Sequence, residues 1–344
     1  MLTRVTRKRV LALLQDHGDL AGIDVRELDL SSDAIEREYE ALKRNHRARP
    51  NWFSEVTGGI NFVDATLAGA QFDSGKVWRG DFARSNLHHT SFQFCDAGVC
   101  RFAEADLTAA DFTGATLARA NFRGSLLCRT RFSDADVTDV DFTGSTFDHV
   151  YLAGATLVNT RIERQQLSNA VGEELDGDYR SAVSAYAGLK SNFRNLGLFE
   201  DASWAYMRER RMETKALAPW RRNENLARRA ASALRWLGGC LSGLVVGYGE
   251  RPLRAATCVP FLVTAYALFY WRLGDLTVNG KTAAGLGACF RQSLASLVTL
   301  STTGAQAARP FSPGAQIWMS LEALTGVSLI ALVMFSLGKR ITRS

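Results

Sequence analysis

Hydroxyl-bearing and small residues are concentrated in one short segment near the C-terminus. Residues 290–306 read FRQSLASLVTLSTTGAQ and lie between two long apolar runs. Each run has about 20 residues, the length that a helix needs to cross the hydrocarbon core of a bilayer. Polar backbone at that depth is tolerated only where protein buries it or water lines it. The chemistry indicated is therefore coordination of ions by carbonyl and hydroxyl oxygens.

The two apolar runs, residues 253–273 and 317–337, are predicted to be membrane spans. Basic residues stand at or beyond both outer ends of the pair, namely Arg251, Arg254, Lys339, Arg340 and Arg343. Because basic residues favour the cytoplasmic face, both termini are predicted to be cytoplasmic. The N-terminal apolar stretch is short and is broken by Gln15 and Asp16, so no signal peptide is predicted.

A short helix is predicted over residues 283–300, with its C-terminal end pointing inward and an extended segment following it. The negative end of its dipole would favour cations. Residues 296–304 read SLVTLSTTG, and residues 320–340 read SLEALTGVSLIALVMFSLGKR. These stretches resemble the two-span pore-loop module of the potassium-channel superfamily, in its compact bacterial form, over the last quarter of the chain. The resemblance implies a homotetramer, since two spans cannot enclose a pore alone.

The predicted ion filter departs from the potassium pattern T-(V/I)-G-(Y/F)-G. Its residues are Ser301, Thr302, Thr303, Gly304, Ala305 and Gln306. A second glycine adopts left-handed backbone without steric cost, whereas Gln306 does not. We therefore predict a pathway that selects weakly among monovalent cations, with the carbonyls and hydroxyls of Thr302 and Thr303 as ligands.

Two residues of the second run are candidates for supporting roles. Glu322 is an ionisable residue inside a predicted span, which makes it a functional candidate. We predict that it is buried behind the filter and hydrogen-bonds the backbone of the loop; the alternative is a side chain that reaches the outer headgroups. Gly326 is the candidate gating hinge, although small residues in membrane helices also serve close packing.

A different period governs residues 62–167, where an apolar residue occupies every fifth position. Neither a helix nor a strand has this spacing. Much of the run alternates phenylalanine with leucine, and the residue two positions earlier is usually small. The apolar positions are Phe62, Leu67, Phe72, Val77, Phe82, Leu87, Phe92, Ala97, Phe102, Leu107, Phe112, Leu117, Phe122, Leu127, Phe132, Val137, Phe142, Phe147, Leu152, Leu157, Ile162 and Leu167.

Residues 105–124, ADLTA, ADFTG, ATLAR and ANFRG, resemble the A-(D/N)-L-x-x unit of the pentapeptide-repeat family. The resemblance implies a right-handed quadrilateral β-helix with one repeat per side and four per coil. Stacked coils bury a core that no single repeat can bury, and phenylalanine rings are predicted to stack on two opposite sides. Some relatives mimic DNA and inhibit a topoisomerase. The arginines on this surface argue against that role, and we predict a solvated scaffold.

The remaining segments are helical. Residues 178–217 are predicted to form two helices joined near residues 195–197, similar to one tetratricopeptide-type hairpin. They form either a plain linker or a transducer between rod and membrane. Residues 232–248 are predicted to be an interfacial or re-entrant segment. The predicted fold is thus multi-domain: an N-terminal helical region (1–50), a β-helix (51–168), a helical linker (169–250) and a two-span pore module (251–344).

Catalytic chemistry has little support in the sequence. The six cysteines and five histidines show no metal-ligand spacing, and no phosphate-binding glycine loop is present. His88 and His89 are predicted to be a solvated pair. We therefore predict no enzyme activity, no catalytic residues, no bound metal and no cofactor other than permeant monovalent cations. The net charge of +6 lies beside the apolar region, which indicates a cytoplasmic membrane face rather than nucleic acid.

These predictions combine into one functional hypothesis. The chain is predicted to be a homotetrameric cation channel of the bacterial inner membrane. Its cytoplasmic β-helix would assemble, sense a signal, or bind a protein partner or ligand. The alternative is a non-conducting scaffold, anchored in the lipid bilayer, that uses the β-helix for protein interaction.

Overall fold

The computed structural model describes residues 59–168, 170–218, 226–246, 252–273, 276–278, 281–282, 285–299, 309–310, 317–318, 320–328, 330–331 and 334, together with Ala21, Asp24 and Leu28. The chain divides into two compact units, Met1–Ala216 and Leu217–Ser344. Helices of the predicted linker fall in both units. The predicted boundaries at residues 50, 168 and 250 stay predictions.

Residues 59–168 form a β-helix, which we call the rod. Parallel bridges join residues that are twenty positions apart, as in the series Asn61, Asp81, Arg101, Asn121 and Asp141. Where the pairing is longer it forms two short parallel strands, β1 (Leu126–Cys128) and β2 (Thr146–Asp148), with Leu126 opposite Thr146. A coil of twenty residues holds four five-residue repeats, so the predicted four-sided β-helix is confirmed.

Each repeat turns a corner through a local hydrogen-bond pattern. In the first repeat the backbone N–H of Ala65 donates to the carbonyl of Phe62, at 3.1 Å. The Asn61 side chain accepts from the N–H of Val63 at 3.0 Å, and Asp64 takes a φ of 58°. Aspartate and asparagine both cap such turns and tolerate left-handed backbone. Their recurrence in the repeat therefore has a local cause.

Phenylalanine rings fill the rod in two columns, as predicted. One column comprises Phe62, Phe82, Phe102, Phe122 and Phe142, with stacked centroids 4.7 to 5.1 Å apart. The other comprises Phe72, Phe92, Phe112 and Phe132, at 4.8 to 5.3 Å. Rings of the two columns also meet edge to face, at 5.5 to 6.0 Å. Both arrangements are favourable for aromatic pairs.

The small residues of the repeats are buried beside these rings. Where the small residue carries a hydroxyl, that group donates to a backbone carbonyl: Ser85 to Phe82 at 2.7 Å and Thr90 to Leu67 at 3.0 Å. Buried polar groups are tolerated when they are hydrogen-bonded in this way. Burial raises the pKa of Cys95 to about 12. Its thiol is therefore protonated at neutral pH, as expected for a structural cysteine.

Three helices follow the rod: α1 (Gly172–Leu175), α2 (Tyr179–Asn195) and α3 (Phe199–Ala216). The predicted pair over residues 178–217 is thus confirmed as α2 and α3, whose facing rings Tyr186 and Trp204 lie 5.7 Å apart. The buried apolar residues of α2 and α3 join those of the rod in one continuous core. We call α1–α3 the cap, because they cover apolar residues of the last coil.

The second unit contains α4 (Leu226–Val246), α5 (Pro252–Leu273) and α6 (Leu286–Thr299). Short strands β3 (Leu276–Val278), β4 (Lys281–Thr282) and β5 (Arg309–Pro310) form a sheet in which β3 pairs antiparallel with both others. Residues 320–328 are helical. A helix was predicted over residues 283–300, and α6 confirms it. The predicted filter, residues 301–306, lies outside the described residues.

In the part of the chain that the structure describes, no helix combines the length and the apolarity needed to cross a membrane. The two predicted spans are therefore not supported there. Helix α5 occupies the first of them. The second, residues 317–337, is only partly described.

Candidate functional site

A buried carboxyl group lies at the centre of the second unit. Glu322 is fully buried within the helical residues 320–328. The Tyr270 hydroxyl donates to its Oε2 at 2.8 Å, and the Ser293 hydroxyl bonds its Oε1. The oxygen of Ser293 also lies 3.1 Å from the carbonyl oxygen of Val263. One carboxyl group thus joins α5, α6 and the helical segment 320–328.

The surroundings of this carboxyl group are apolar. Buried side chains of Val263, Ala267, Cys289 and Ala323 occupy the same three elements. Burying a carboxyl group in such surroundings costs free energy unless its oxygens are hydrogen-bonded. Both oxygens of Glu322 have a hydroxyl partner. The arrangement fixes α6, which immediately precedes the predicted filter, to the helices on either side of it in the sequence.

The prediction for Glu322 has two parts with different outcomes. Its burial is confirmed. The bond to loop backbone stays a prediction, because residues 301–306 lie outside the described part. Sequence reasoning missed the partners, Ser293 and Tyr270, although Ser293 belongs to the hydroxyl-rich segment 290–306. Gly326 is buried in the helical segment, and its role as a hinge stays a prediction.

Large apolar side chains are exposed over much of the second unit. Phe261 is 77% exposed, Leu324 63% and Met334 66%. Further members of this set are Leu234, Leu237, Leu268, Phe269, Trp271, Leu286, Phe290, Leu294, Ile317, Trp318, Leu321 and Ile330. Apolar area of this extent is characteristic of surfaces that bind other proteins or lipid. An open apolar groove of about 200 Å³, lined by Ala265, Tyr266, Phe269 and Trp318, belongs to the same surface.

In the first unit, buried polar groups join the cap to the last coil of the rod. The Asn192 side chain donates to the Thr160 carbonyl at 2.8 Å and accepts from its N–H at 3.0 Å. Glu173 Oε1 accepts from the N–H groups of Leu152 and Ala153, at 2.7 and 2.6 Å. The cap therefore satisfies backbone groups that the end of a β-helix leaves without a next coil.

Glu173 carries a buried oxygen, Oε2, with no hydrogen-bond partner among the described residues. Burial raises the pKa of this carboxyl group, because the charged form is poorly solvated. The folded state therefore binds the proton more tightly than the unfolded state. The resulting stabilisation is fully present below the ordinary glutamate pKa, and it is lost as the pH rises through the raised value.

We expect Glu173→Gln to remove this pH dependence and to stabilise the rod at neutral pH by about 1 kcal/mol, because an unsatisfied buried charge is replaced by a neutral amide. Denaturant unfolding at pH 5 and pH 8 measures the effect. Glu104→Gln, at an exposed position on the rod, is the matched control. A Glu173→Gln protein with the pH profile of the wild type would contradict the prediction.

The remaining rod surface carries ion pairs between successive coils. Arg84 pairs with Asp64 at 2.8 Å, Arg101 with Asp81 at 3.3 Å and Arg123 with Asp141 at 3.3 Å. Such exposed pairs contribute little to stability. The rings of His88 and His89 lie against each other, with centroids 4.2 Å apart. Across the described residues, no cluster of three histidine, cysteine or acidic side chains is arranged to hold a metal ion.

Comparison with known proteins bears on less than half of the chain. The chain is similar to Rfr23 of the cyanobacterium Cyanothece 51142, a pentapeptide repeat protein, at 12% identity over 44% of this chain and 98% of that one, with a TM-score of 0.33. It is similar to full-length QnrB1, a plasmid-mediated fluoroquinolone resistance protein, at 16% identity over 46% and 83%, with a TM-score of 0.26. It spans 60% and 59% of two trypsin-treated forms of QnrB1.

These similarities are too distant to carry an argument, and no curated protein matches the chain at a significant level. The assignment rests instead on the repeats themselves. The pentapeptide-repeat family matches residues 100–144, in eight copies. That match agrees with the twenty-residue bridges and the two phenylalanine columns of the rod. The rod therefore contains pentapeptide repeats, matched over residues 100–144, and helices follow it in the chain.

Proposed function

We propose that four copies of this chain form a weakly selective channel for monovalent cations in a bacterial inner membrane, with the rod and its cap in the cytoplasm. The observation that carries the proposal is the buried Glu322 carboxyl group with its partners on α5 and α6. It ties together the elements that a pore-loop module requires. These are an outer helix, a short helix before the filter and an inner helix.

The exposed apolar surface of the second unit supports the same proposal. Side chains such as Phe261, Leu324 and Met334 are exposed in the single chain. Lipid and neighbouring subunits would cover them in a membrane tetramer. The sequence of residues 253–273 and 317–337 provides the apolar length for two spans. Part of the second stretch lies outside the described residues.

Weak selectivity follows from the proposed filter, residues 301–306. The carbonyls and hydroxyls of Thr302 and Thr303 would coordinate the ion, and Gly304 would permit the backbone to turn. Ala305 and Gln306 stand where potassium filters have an aromatic residue and a second glycine. The evenly spaced carbonyls that favour potassium would therefore be incomplete.

The rival function is a membrane-anchored scaffold that does not conduct. The observation that favours it is the rod, whose stacked coils present an extended repeat surface. Repeat proteins of this kind commonly bind partners over an extended face. In this alternative the second unit would assemble and anchor the rod, and a cytoplasmic protein would bind to it.

One experiment distinguishes the two functions. The full chain is purified, its subunit number is measured by mass spectrometry in detergent, and the same sample is reconstituted for cation flux into liposomes. The channel proposal expects tetramers and flux of both potassium and sodium. Tetramers without flux would favour the scaffold. A monomer without flux would contradict both the pore and its assembly.

A further inference from the structure

On one side of the rod, the outward-facing residues are basic near one end and acidic near the other. This side is built by the repeats centred on Val77, Ala97, Leu117, Val137 and Leu157, and we call it the Trp78 face. Successive members of each outward column lie one coil apart, as the bridges of Lys76 with Asp96 and of Thr116 with Asp136 show. The outward columns are residues 76, 96, 116, 136 and 156; residues 78, 98, 118, 138 and 158; and residues 79, 99, 119, 139 and 159.

The first and third coils of the Trp78 face carry the basic residues, the second carries one acidic residue and the fourth carries two: Lys76, Arg79 and Arg119 against Asp96, Asp136 and Asp139. The first coil carries Lys76 and Arg79, and the same two columns carry Asp136 and Asp139 three coils later. In the described part of the chain neither Lys76 nor Arg79 has a carboxylate within ion-pair distance; the Arg79 guanidinium lies over the ring of Trp78, 5.1 Å from its centroid.

Exposed apolar side chains lie on and beside the basic half. Trp78 is 45% exposed, Val99 37%, and Phe94, at the adjoining corner, 65%. The Trp78 ring covers Gly98, where an added Cβ would meet it at 3.0 Å. Phe94 covers Gly114 in the same way, at 2.5 Å. Both rings are thus held against the rod surface, which lowers the entropy lost when a partner binds them.

The division of charge makes this face complementary to itself. A two-fold axis that lies in the contact plane, perpendicular to the rod, reverses the partner rod and places each column opposite its own copy. If the first coil of one rod meets the fourth coil of the other, Lys76 faces Asp136 and Arg79 faces Asp139. Both contacts occur twice by symmetry. A parallel arrangement in register would instead oppose like charges.

The same register also brings the apolar residues together. Phe94 lies in the second coil, so the two copies of its ring would lie one coil apart, at about 4.8 Å along the rod axis, close enough to contact each other. Trp78 would meet Ala118 and Thr138 of the partner copy, which are small enough to admit the ring. Aromatic residues flanked by ion pairs are typical of the centre and rim of a protein interface.

We propose that the Trp78 face is a contact between two copies of this chain, with the rods antiparallel and offset so that the first coil of each faces the fourth coil of the other. Four coils span about 19 Å, so the contact is smaller than a standard interface of about 800 Å² per partner. It is therefore weak for free rods, and it is strengthened when other contacts already hold the copies close. The pairing does not depend on ion conduction.

Zero-length carbodiimide cross-linking of the purified full chain tests the pairing. The reagent joins a lysine amine to a carboxylate that it touches. Lys76 and Asp136 of one rod lie three coils apart, about 14 Å, so a link between them must join two copies. We expect mass spectrometry to identify the Lys76–Asp136 link, with a yield that falls as salt is added.

Reversing the charges of Arg79 and Asp139 supplies the control, because the cross-linked residues Lys76 and Asp136 are unchanged. Arg79→Glu alone, or Asp139→Arg alone, opposes like charges twice and should lower the yield about tenfold. The double variant Arg79→Glu with Asp139→Arg should restore it. Arg129→Glu, at an exposed position on another side of the rod, should leave the yield unchanged.

Three results would overturn the inference: no Lys76–Asp136 link in the wild type, equal yields in the single variants, or no recovery in the double variant. A Lys76 cross-link to a carboxylate on another side of the rod, in place of Asp136, would overturn it as well. Each result is read from the cross-linked peptides. The outcome is therefore independent of whether the reconstituted protein conducts ions.

Discussion

Replacing Phe112 with alanine is expected to destabilise the rod by about 3–5 kcal/mol, the cost of removing a large aromatic side chain from a packed core. Phe112 is fully buried. Its ring stacks on Phe92 at 4.8 Å and on Phe132 at 5.3 Å, and it meets Phe102 and Phe122 edge to face at 5.5 and 5.7 Å. The effect should be large because the rings of the coils on both sides are fixed by their own packing. They cannot move into the cavity that the missing ring leaves.

The matched control is Phe94→Ala, which removes the same side chain from the surface of a neighbouring coil. Phe94 is 65% exposed, so the substitution should cost less than about 1 kcal/mol. Hydrogen exchange of backbone amides in residues 100–144 measures the free energy of opening in the full chain. Equal losses for the two variants would show that the aromatic columns are not the main source of rod stability.

Replacing Glu322 with alanine is expected to reduce cation flux by at least about tenfold, because each buried polar group left unsatisfied costs about 1–3 kcal/mol. The Tyr270 hydroxyl loses its carboxylate partner, and the Ser293 hydroxyl keeps only the Val263 carbonyl. Helix α6 would then be held less firmly between its neighbours, and the proposed filter that follows it would lose its position. Tyr270→Phe removes only one partner and should have a smaller effect.

Glu322→Gln separates the shape of this side chain from its ability to ionise. The amide keeps an acceptor oxygen for one hydroxyl, so its flux should lie between the wild type and Glu322→Ala. Phe261→Leu, which keeps an apolar group at an exposed position on α5, is the control and should conduct normally. Normal flux and normal tetramer stability in Glu322→Ala would eliminate the supporting role of this residue.

The architecture of the rod could be predicted from the sequence because each repeat contains the residues that determine its own conformation. The apolar residue at every fifth position specifies the core, and residues such as Asn61 specify the corner by bonding the backbone two positions later. These determinants are local, and they recur without a break. The burial of the phenylalanine columns and the coil of four repeats follow from them.

The cap could not be predicted in the same way, because its function depends on contacts distant in sequence. Asn192 bonds Thr160, 32 positions away, and Glu173 bonds Leu152. Periodicity locates α2 and α3 but does not show which surface they cover. They pack on the last coil because the backbone groups there have no further coil to supply hydrogen-bond partners.

The candidate site of the second unit was predicted only in part. Glu322 could be identified as a candidate because placing an ionisable side chain within an apolar run costs free energy. Its partners come from two other helices, and a single sequence does not show that Tyr270 and Ser293 bond Glu322. The two predicted spans rest on apolar length in the sequence, and helix α5 occupies the residues of the first of them.

The most direct test of the proposed channel is single-channel recording from the purified full chain in a planar bilayer, with potassium on one side and sodium on the other. The account predicts unitary cation currents that reverse near zero voltage, because the sequence of residues 301–306 lacks the aromatic residue and the second glycine of the potassium pattern. Absence of unitary currents from tetrameric protein would contradict conduction. A reversal potential set by potassium alone would contradict the proposed selectivity.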